Sequence, residues 1–220
     1  MSSARDVILA RLAATRPAFA APTAEHLPPP MPADPVAVLQ ARVEAAGGRF
    51  QRVAGPDWLA QIEWPIDPHS LPPAACYCAY PELARHTGAA PRAPAAAETG
   101  TTALAPGEDF ASLELCVLRG ELAVVENGGV WQVPRDARER RAALLAEHLV
   151  VVVEGAALVA TLHDAYARID LATPGFGWFL CGPSKTADIE QALVLGAHGP
   201  RSMTLVWRCD APSAGETQRV

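Results

Sequence analysis

A short run of branched apolar residues constrains the fold more than any other feature. Residues 148–153 are His-Leu-Val-Val-Val-Val, which is the length of one strand and shows no alternation with polar residues. Such a strand is buried on both faces, as happens in parallel sheets covered by helices. Strand-like and helical segments alternate through the second half of the chain. The sequence therefore predicts an α/β fold with a mostly parallel sheet and helices on both faces.

The compact part of the chain is predicted to begin with a capped helix. Asp34 is a good N-cap, Pro35 suits the first helical position, and the Gly47-Gly48 pair ends the helix. Periodicity predicts further helices at 136–147, 156–167 and 186–195. It predicts strands at 49–53, 74–79, 113–118, 122–125, 130–133, 148–153, 178–181 and 203–208.

Three regions of different composition divide the chain. Residues 1–33 are predicted to be an N-terminal helix, capped by Ser2 or Ser3, and a linker, because prolines crowd the stretch from Pro17 onward. Residues 34–210 form the predicted α/β domain, and residues 211–220 form a C-terminal tail. Within the domain, residues 88–107 lack any period and are predicted to be a long loop.

Charge and the length of apolar runs argue against two classes of partner, nucleic acids and membranes. The formal net charge is -6, and a nucleic-acid surface needs clustered positive charge. The dense basic run, Arg135 to Arg141, is interrupted by two acids and is interpreted as the solvated face of a helix, with Leu144 and Leu145 facing inward. No apolar run has the ~18–20 residues of a membrane span. The N-terminus does not resemble a signal peptide, so a cytoplasmic location is expected.

The five cysteines, Cys76, Cys78, Cys116, Cys181 and Cys209, form no metal-binding pattern. They are scattered and odd in number, which argues against a disulfide framework. Repeated C-x-x-C spacing, which iron–sulfur clusters need, is missing from the sequence. We therefore expect neither a metal nor a bound cofactor on this chain, and interpret the cysteines as small buried hydrophobic residues.

The segment Gly182 to Glu190, Gly-Pro-Ser-Lys-Thr-Ala-Asp-Ile-Glu, lies between a predicted strand and a predicted helix. Helix N-termini at the carboxyl ends of strands attract anions, so Ser184, Lys185 and Thr186 predict a site for a small anion. The alternative is helix capping, with Ser184 or Thr186 as the N-cap and Asp188 and Glu190 in the first turn. The P-loop pattern is absent from the sequence, because Gly182 stands only three residues before Lys185.

This segment and the following Leu-Gly-Ala-His-Gly-Pro, residues 195–200, resemble the C-terminal signature of the lactate-utilization protein C, or LUD-domain, family. The family usually has arginine where Lys185 stands, which keeps the charge but not the planar fork. A second family element is a glutamate-containing turn, matched by position at Glu126-Asn127-Gly128. A literal Ala-Glu-Thr-Gly-Thr also occurs at residues 97–101, inside the predicted loop.

The resemblance implies a NagB/RpiA/CoA-transferase-like fold and a role in oxidising L-lactate to pyruvate beside iron–sulfur partner proteins. This chain would be the cluster-free accessory component. The alternatives are a stand-alone small-molecule-binding enzyme of the CoA-transferase or sugar-phosphate-isomerase type, and an interaction domain with a purely structural motif. Glu126 is the candidate catalytic residue, as a general base or nucleophile. The candidate ligand-binding residues are Asn127, Gly128, Gly182, Ser184, Lys185, Thr186, Asp188, Glu190 and His198, the last with the alternative of pairing with carbonyls at a helix end.

Overall fold

The computed structural model describes residues 3–14, 29–80, 110, 112–170, 175–189 and 192–209. Pro73, Asp188 and Ile189 are described by their backbone alone. Most of the predicted linker, the predicted loop at 88–107, the tail at 211–220, the Ala-Glu-Thr-Gly-Thr segment at 97–101 and Glu190 therefore lie outside the described residues.

The described residues form α-helices and β-strands joined by three short 3₁₀ turns between residues 58 and 75. The helices are α1 Ala4–Ala14, α2 Pro35–Ala45, α3 Ala137–Leu145 and α4 Leu162–Arg168. The strands are β1 Arg49–Val53, β2 Cys76–Cys78, β3 Leu115–Gly120, β4 Leu122–Val124, β5 Val130–Gln132, β6 His148–Glu154, β7 Leu158–Val159, β8 Trp178–Leu180, β9 Lys185–Ile189, β10 Ala192–Leu195 and β11 Ser202–Arg208.

The main sheet has five parallel strands in the order β1-β11-β6-β3-β2. The predicted doubly buried strand, β6, lies at its centre, where Val150 pairs with Thr204 on one side and Val117 on the other. Val150 to Val153 are fully buried. The α/β class and the mostly parallel sheet predicted from this run are confirmed, because a strand with apolar side chains on both faces needs cover on both sides.

The two faces of the main sheet are covered differently. One face packs against Leu39 and Val43 of α2 and against Ala142 and Ala143 of α3. The other face packs against the 3₁₀ turns and the loops between them, through side chains such as Trp58. The α-helices described therefore cover one face, and a segment of short turns covers the other.

A second, mixed sheet lies beside the first, in the strand order β7-β4-β5-β8. Glu121 alone separates β3 from β4, so the chain passes directly from one sheet to the other. The two sheets approach closely at Gly120, where an added Cβ would overlap Val130 and Val153. The predicted Asn-Gly turn joins β4 to β5, and Gly128 has the expected positive φ of 74°.

Local capping signals predicted helix starts correctly. The Asp34 carboxylate accepts a hydrogen bond from the Ala37 amide at the start of α2. Ser3 accepts from the Asp6 amide at the start of α1. The helix predicted at 156–167 is shorter than expected: β7 occupies residues 158–159, and α4 begins only after Thr161, which forms a capping box with Asp164.

The prediction of a helix at 186–195 is wrong. The structure has an antiparallel hairpin there, in which Lys185 pairs with Leu195 and Thr186 pairs with Val194. Main-chain hydrogen bonds of Ser184 to Gly196 and Pro200 close the base of this hairpin. The inward placement of Leu144 and Leu145 is also wrong, since both are exposed at the end of α3.

Candidate functional site

The signature begins with a glycine turn that is pressed against the end of α2. Gly182 has a φ of 71°, which favours glycine, and an added Cβ would overlap the carbonyl oxygen of Ala46. The neighbouring Pro183 is buried, and its ring lies over Gly47. The backbone of Gly182 therefore approaches the end of α2 closely.

The predicted glutamate-containing turn packs on the same end of α2. A Cβ added at Gly128 would lie 2.9 Å from the amide nitrogen of Val43. The thiol of Cys181 donates to the carbonyl oxygen of Asn127 over 3.3 Å, and the Asn127 side chain accepts from the Gly129 amide over 2.8 Å. The structure thus brings Asn127 and Gly128 together with the Gly182 turn.

The two halves of the signature form one structural unit. The Ser184 amide donates to the carbonyl of Pro200 over 2.9 Å, and the Ser184 carbonyl accepts from the Gly196 amide over 3.0 Å. A Cβ added at Gly199 would lie 3.0 Å from the Ser184 Cβ. The helix-capping interpretation of Ser184 and Thr186 is wrong, because no helix begins among the described residues of this segment.

The remaining signature residues lie on the hairpin. Lys185 and Thr186 are on β9, and the backbone of Asp188 is on the same strand. Partial burial raises the pKa of Cys181, and the Lys185 ammonium acts in the opposite direction. His198 is exposed in the turn after β10, and its predicted place at a helix end is wrong because a strand precedes that turn.

Glu126 points away from the signature, toward the start of α4. Its carboxylate accepts a hydrogen bond from the Leu162 amide over 2.9 Å. A carboxylate at this place stabilises the first turn of a helix, because it satisfies an otherwise unpaired amide. The side chain is exposed. The Glu126 side chain therefore does not point toward the Gly182 turn. It differs in this from Asn127 and Gly128, which follow it directly in the sequence.

The signature also lies at the less favoured edge of the main sheet. The strand before it, β8, belongs to the second sheet, and Gly199-Pro200 leads directly into the amino end of β11. Ligands of parallel sheets bind outside the carboxyl ends of the strands. Lys185 lies on a strand of the hairpin. Among the described residues of this segment, no helix N-terminus is therefore present to attract an anion to Lys185.

A cleft at the carboxyl ends of β2 and β3 meets that rule instead. We call it the carboxyl-edge cleft; its volume is about 310 Å³. The cleft is surrounded by residues that directly follow β2, by residues at the end of β3, and by the start of α3 together with the segment before it. The lining residues are Ala79, Tyr80, Arg119, Glu121, Val133, Arg135 and Glu139.

A buried carboxylate organises one wall of this cleft. Glu139 is only 2% exposed and accepts three side-chain hydrogen bonds. The donors are the Tyr77 hydroxyl at 3.2 Å, Gln132 Nε2 at 2.8 Å and Arg135 Nε at 2.7 Å. A buried charge is tolerated when it is paired and hydrogen-bonded in this way. Glu139 is thus a fixed structural anion with the Arg135 guanidinium beside it.

The network around Glu139 also shifts two pKa values. Burial, followed by the charge of Glu139, raises the pKa of Tyr77, so the phenol stays protonated. Burial acts to lower the pKa of Arg135, but the hydrogen bond and charge of Glu139 outweigh it and the pKa is raised. Gln132 extends the network, because its Oε1 accepts from Trp178 Nε1 of the second sheet.

Sequence reasoning missed this cleft because it assigned the basic run containing Glu139 to a solvated face. Two local signals were available. Arg135 and Glu139 have the i, i+4 spacing of an ion pair, and Asp136 accepts from the amides of Arg138 and Glu139 as an N-cap. Neither signal shows that Glu139 is buried, because the partners Tyr77 and Gln132 come from distant elements.

Among the residues that the structure describes, no three His, Cys, Asp or Glu side chains are grouped so that they could hold a metal ion. None of the helices in the described part of the chain is long and apolar enough to cross a membrane.

The described residues combine a parallel sheet, an adjoining mixed sheet and the β9–β10 hairpin, which we call the signature hairpin. Residues 107–206 match the family model of the LUD domain, so this part of the chain is similar to the LUD-domain family. The family resemblance carried by residues 182–200 is confirmed. The matched region includes Arg119, Arg135 and Glu139 of the carboxyl-edge cleft, together with the signature hairpin.

Two curated relatives are named lactate utilization protein C. The protein from Shouchella clausii is 32% identical over 85 residues, which cover 36% of this chain and 37% of the relative. The protein from Oceanobacillus iheyensis is 27% identical over 92 residues, which cover 39% and 40%. The chain therefore matches well under half the length of these relatives, and it is related to lactate utilization proteins.

A solved structure shows the same fold. The crystal structure of a DUF162 family protein from Deinococcus radiodurans aligns with 82% of this chain and 100% of its own, with a TM-score of 0.50 and 15% identity. At that identity the likeness concerns the fold alone, and it agrees with the α/β class predicted from the sequence.

Proposed function

We propose that the chain is an accessory component of an L-lactate utilization system that oxidises lactate to pyruvate together with iron–sulfur partner proteins. The observation that carries this proposal is the match of residues 107–206 to the LUD domain, joined to two relatives named lactate utilization protein C. The signature hairpin supports it, because both halves of the family motif are present and bonded to each other.

In this proposal the iron–sulfur clusters belong to the partners. Cys76, Cys78 and Cys116 support that assignment, because they are buried in β2 and β3 and their thiols pack in the core. Burial raises the pKa of Cys116 well above its ordinary value, which disfavours the thiolate that metal binding needs.

A deletion tests the proposed role. Removing the coding sequence from the organism that carries it should abolish or slow growth on L-lactate while leaving growth on pyruvate unchanged. The wild-type chain supplied in trans should restore growth and should co-purify with iron–sulfur proteins, detected by visible absorption and iron content. Normal growth of the deletion strain on L-lactate would overturn the proposal.

A stand-alone small-molecule-binding enzyme of the CoA-transferase or sugar-phosphate-isomerase type is the second candidate. The position of a cleft at the carboxyl ends of β2 and β3 favours it, since ligands of such sheets bind there, whereas the two glutamates that line this cleft disfavour a doubly charged phosphate. Glu126, the residue predicted as its acid, base or nucleophile, does not line this cleft and accepts a hydrogen bond from the Leu162 amide instead. Thermal-shift measurements with CoA esters and sugar phosphates, on wild type and Glu126→Gln, test it. This candidate fails if none of these ligands raises the melting temperature.

A further inference from the structure

We infer that the carboxyl-edge cleft binds a short-chain monocarboxylate of the 2-hydroxy or 2-oxo acid class, with Arg135 as its main anion contact. The preference for a small monoanion follows from the charge and size of the cleft. The choice of 2-hydroxy or 2-oxo acids among monocarboxylates rests on the proposed function.

Arg135 has the geometry of an anion contact held in place from behind. Its Nε–H donates to Glu139, which is almost fully buried, while the Arg135 side chain remains 43% exposed and lines the cleft. The guanidinium is a planar fork of N–H donors that matches the two oxygens of a carboxylate. Because Glu139 is fixed by Tyr77 and Gln132, it acts as a positioning residue for Arg135.

Arg119 supplies a second positive charge from the end of β3. Its Nε lies 3.9 Å from Glu121 Oε1, and both side chains are partly exposed. An ion pair of that length and exposure contributes little to stability. Arg119 therefore adds positive charge at the end of β3 beside Glu121. The Nε of Arg135 already donates to the buried Glu139.

The balance of charge limits the ligand to a monoanion. The cleft is lined by two arginines and two glutamates, so a single carboxylate can be accommodated while a phosphate with two charges meets repulsion from Glu121 and Glu139. The volume of about 310 Å³ is at the small end for ligand pockets. Ala79 and Val133 offer a short apolar wall, and the Glu121 carboxylate can accept from the hydroxyl group of a 2-hydroxy acid.

Calorimetric titration of the full chain tests the inference with L-lactate, pyruvate, propionate and inorganic phosphate as separate probes. L-lactate or pyruvate should bind, and Arg135→Met should weaken that binding by about tenfold or more, because a charge-assisted contact is lost. Arg201→Met is the matched control: it removes an arginine from the Glu147 ion pair at the opposite edge of the sheet. Binding to this control should be unchanged.

Loss of folding must be separated from loss of binding. Arg135→Met leaves Glu139 buried without its cation, so the double variant Arg135→Met/Glu139→Gln, which removes both charges, should fold and still bind weakly. Arg119→Met, at a partly exposed pair, should also fold and should weaken binding severalfold. Binding that survives all three variants unchanged would overturn the inference.

The four probes distinguish the remaining outcomes. Phosphate binding more tightly than L-lactate would overturn the monoanion assignment, and propionate binding as tightly as L-lactate would overturn the 2-hydroxy or 2-oxo assignment. Absence of binding by every probe sinks the inference while a growth defect on L-lactate still supports the proposed function. Conversely, tight lactate binding together with normal growth of the deletion strain on L-lactate would support the inference about the ligand and overturn the proposed function.

Discussion

Replacing Glu139 by alanine removes the acceptor of three side-chain hydrogen bonds in one step. Tyr77 and Gln132 are both buried, and each would keep a donor without a partner. An unsatisfied buried donor costs about 1–3 kcal/mol. The Arg135 side chain is 43% exposed, so water can replace its bond to Glu139. Loss of that bond therefore contributes little to the change in the free energy of unfolding.

Burial of the Glu139 charge is itself unfavourable, because the carboxylate loses its hydration. Removing the charge therefore offsets part of the destabilisation. The expected net loss in the free energy of unfolding is therefore about 3 kcal/mol, which for a chain of this size corresponds to a melting temperature lower by roughly 6–12 °C. Glu139→Gln should cost less, because the amide oxygen still accepts from Gln132 or Tyr77.

Urea denaturation followed by circular dichroism measures these differences, with Glu147→Ala as the matched control. Glu147 also pairs with an arginine, Arg201, but its side chain is 39% exposed, so its removal should cost less than about 1 kcal/mol. If Glu139→Ala and Glu147→Ala prove equally stable, the reasoning that the buried network stabilises the fold is refuted.

Three further predictions concern the signature turn, the start of α3 and alkaline pH. Gly182→Ala should lower the free energy of unfolding by about 2 kcal/mol or more, because the added methyl overlaps Ala46 at a positive φ; a wild-type urea midpoint would contradict this. Asp136→Ala should cost about 1 kcal/mol, because two amides of α3 lose their cap; the urea midpoint measures it, and an unchanged midpoint would argue against capping. Burial and the charge of Glu139 raise the pKa of Tyr77, so the folded state holds the phenol proton more tightly than the unfolded state. The resulting stabilisation is complete below pH about 10 and is lost progressively above it, so Tyr77→Phe should show a shallower fall of unfolding free energy between pH about 10 and 12; equal slopes would refute this.

The central strand was predictable because its burial requirement is local. Four successive valines from Val150 to Val153 satisfy two apolar faces at once, so no tertiary information is needed to recognise the strand. The start of α2 was predictable for a similar reason, since Asp34 caps the amide of Ala37 within one turn. The Asn127-Gly128 turn also depends on a short-range preference, the positive φ of Gly128.

The hairpin at 185–195 was not predictable from local periodicity. The apolar residues around Leu193 suit a helix as well as a strand, and short apolar runs are ambiguous in this way. The hairpin is selected by contacts with distant residues, since the main chain of Ser184 pairs with both Gly196 and Pro200. The exposure of Leu144 and Leu145 has the same origin, because the sheet contacts of α3 are made by Ala142 and Ala143.

The sequence by itself determined the doubly buried strand, the parallel α/β class and the family signature, because each depends on neighbouring residues or on a contiguous motif. Only the tertiary structure decided that Gly182 packs on α2, that Glu126 turns toward α4, and that the carboxyl-edge cleft forms. The physical reason is that Glu139 is buried by Tyr77 and Gln132, which come from β2 and β5. A charge becomes a fixed part of a site through partners that are far away in the chain.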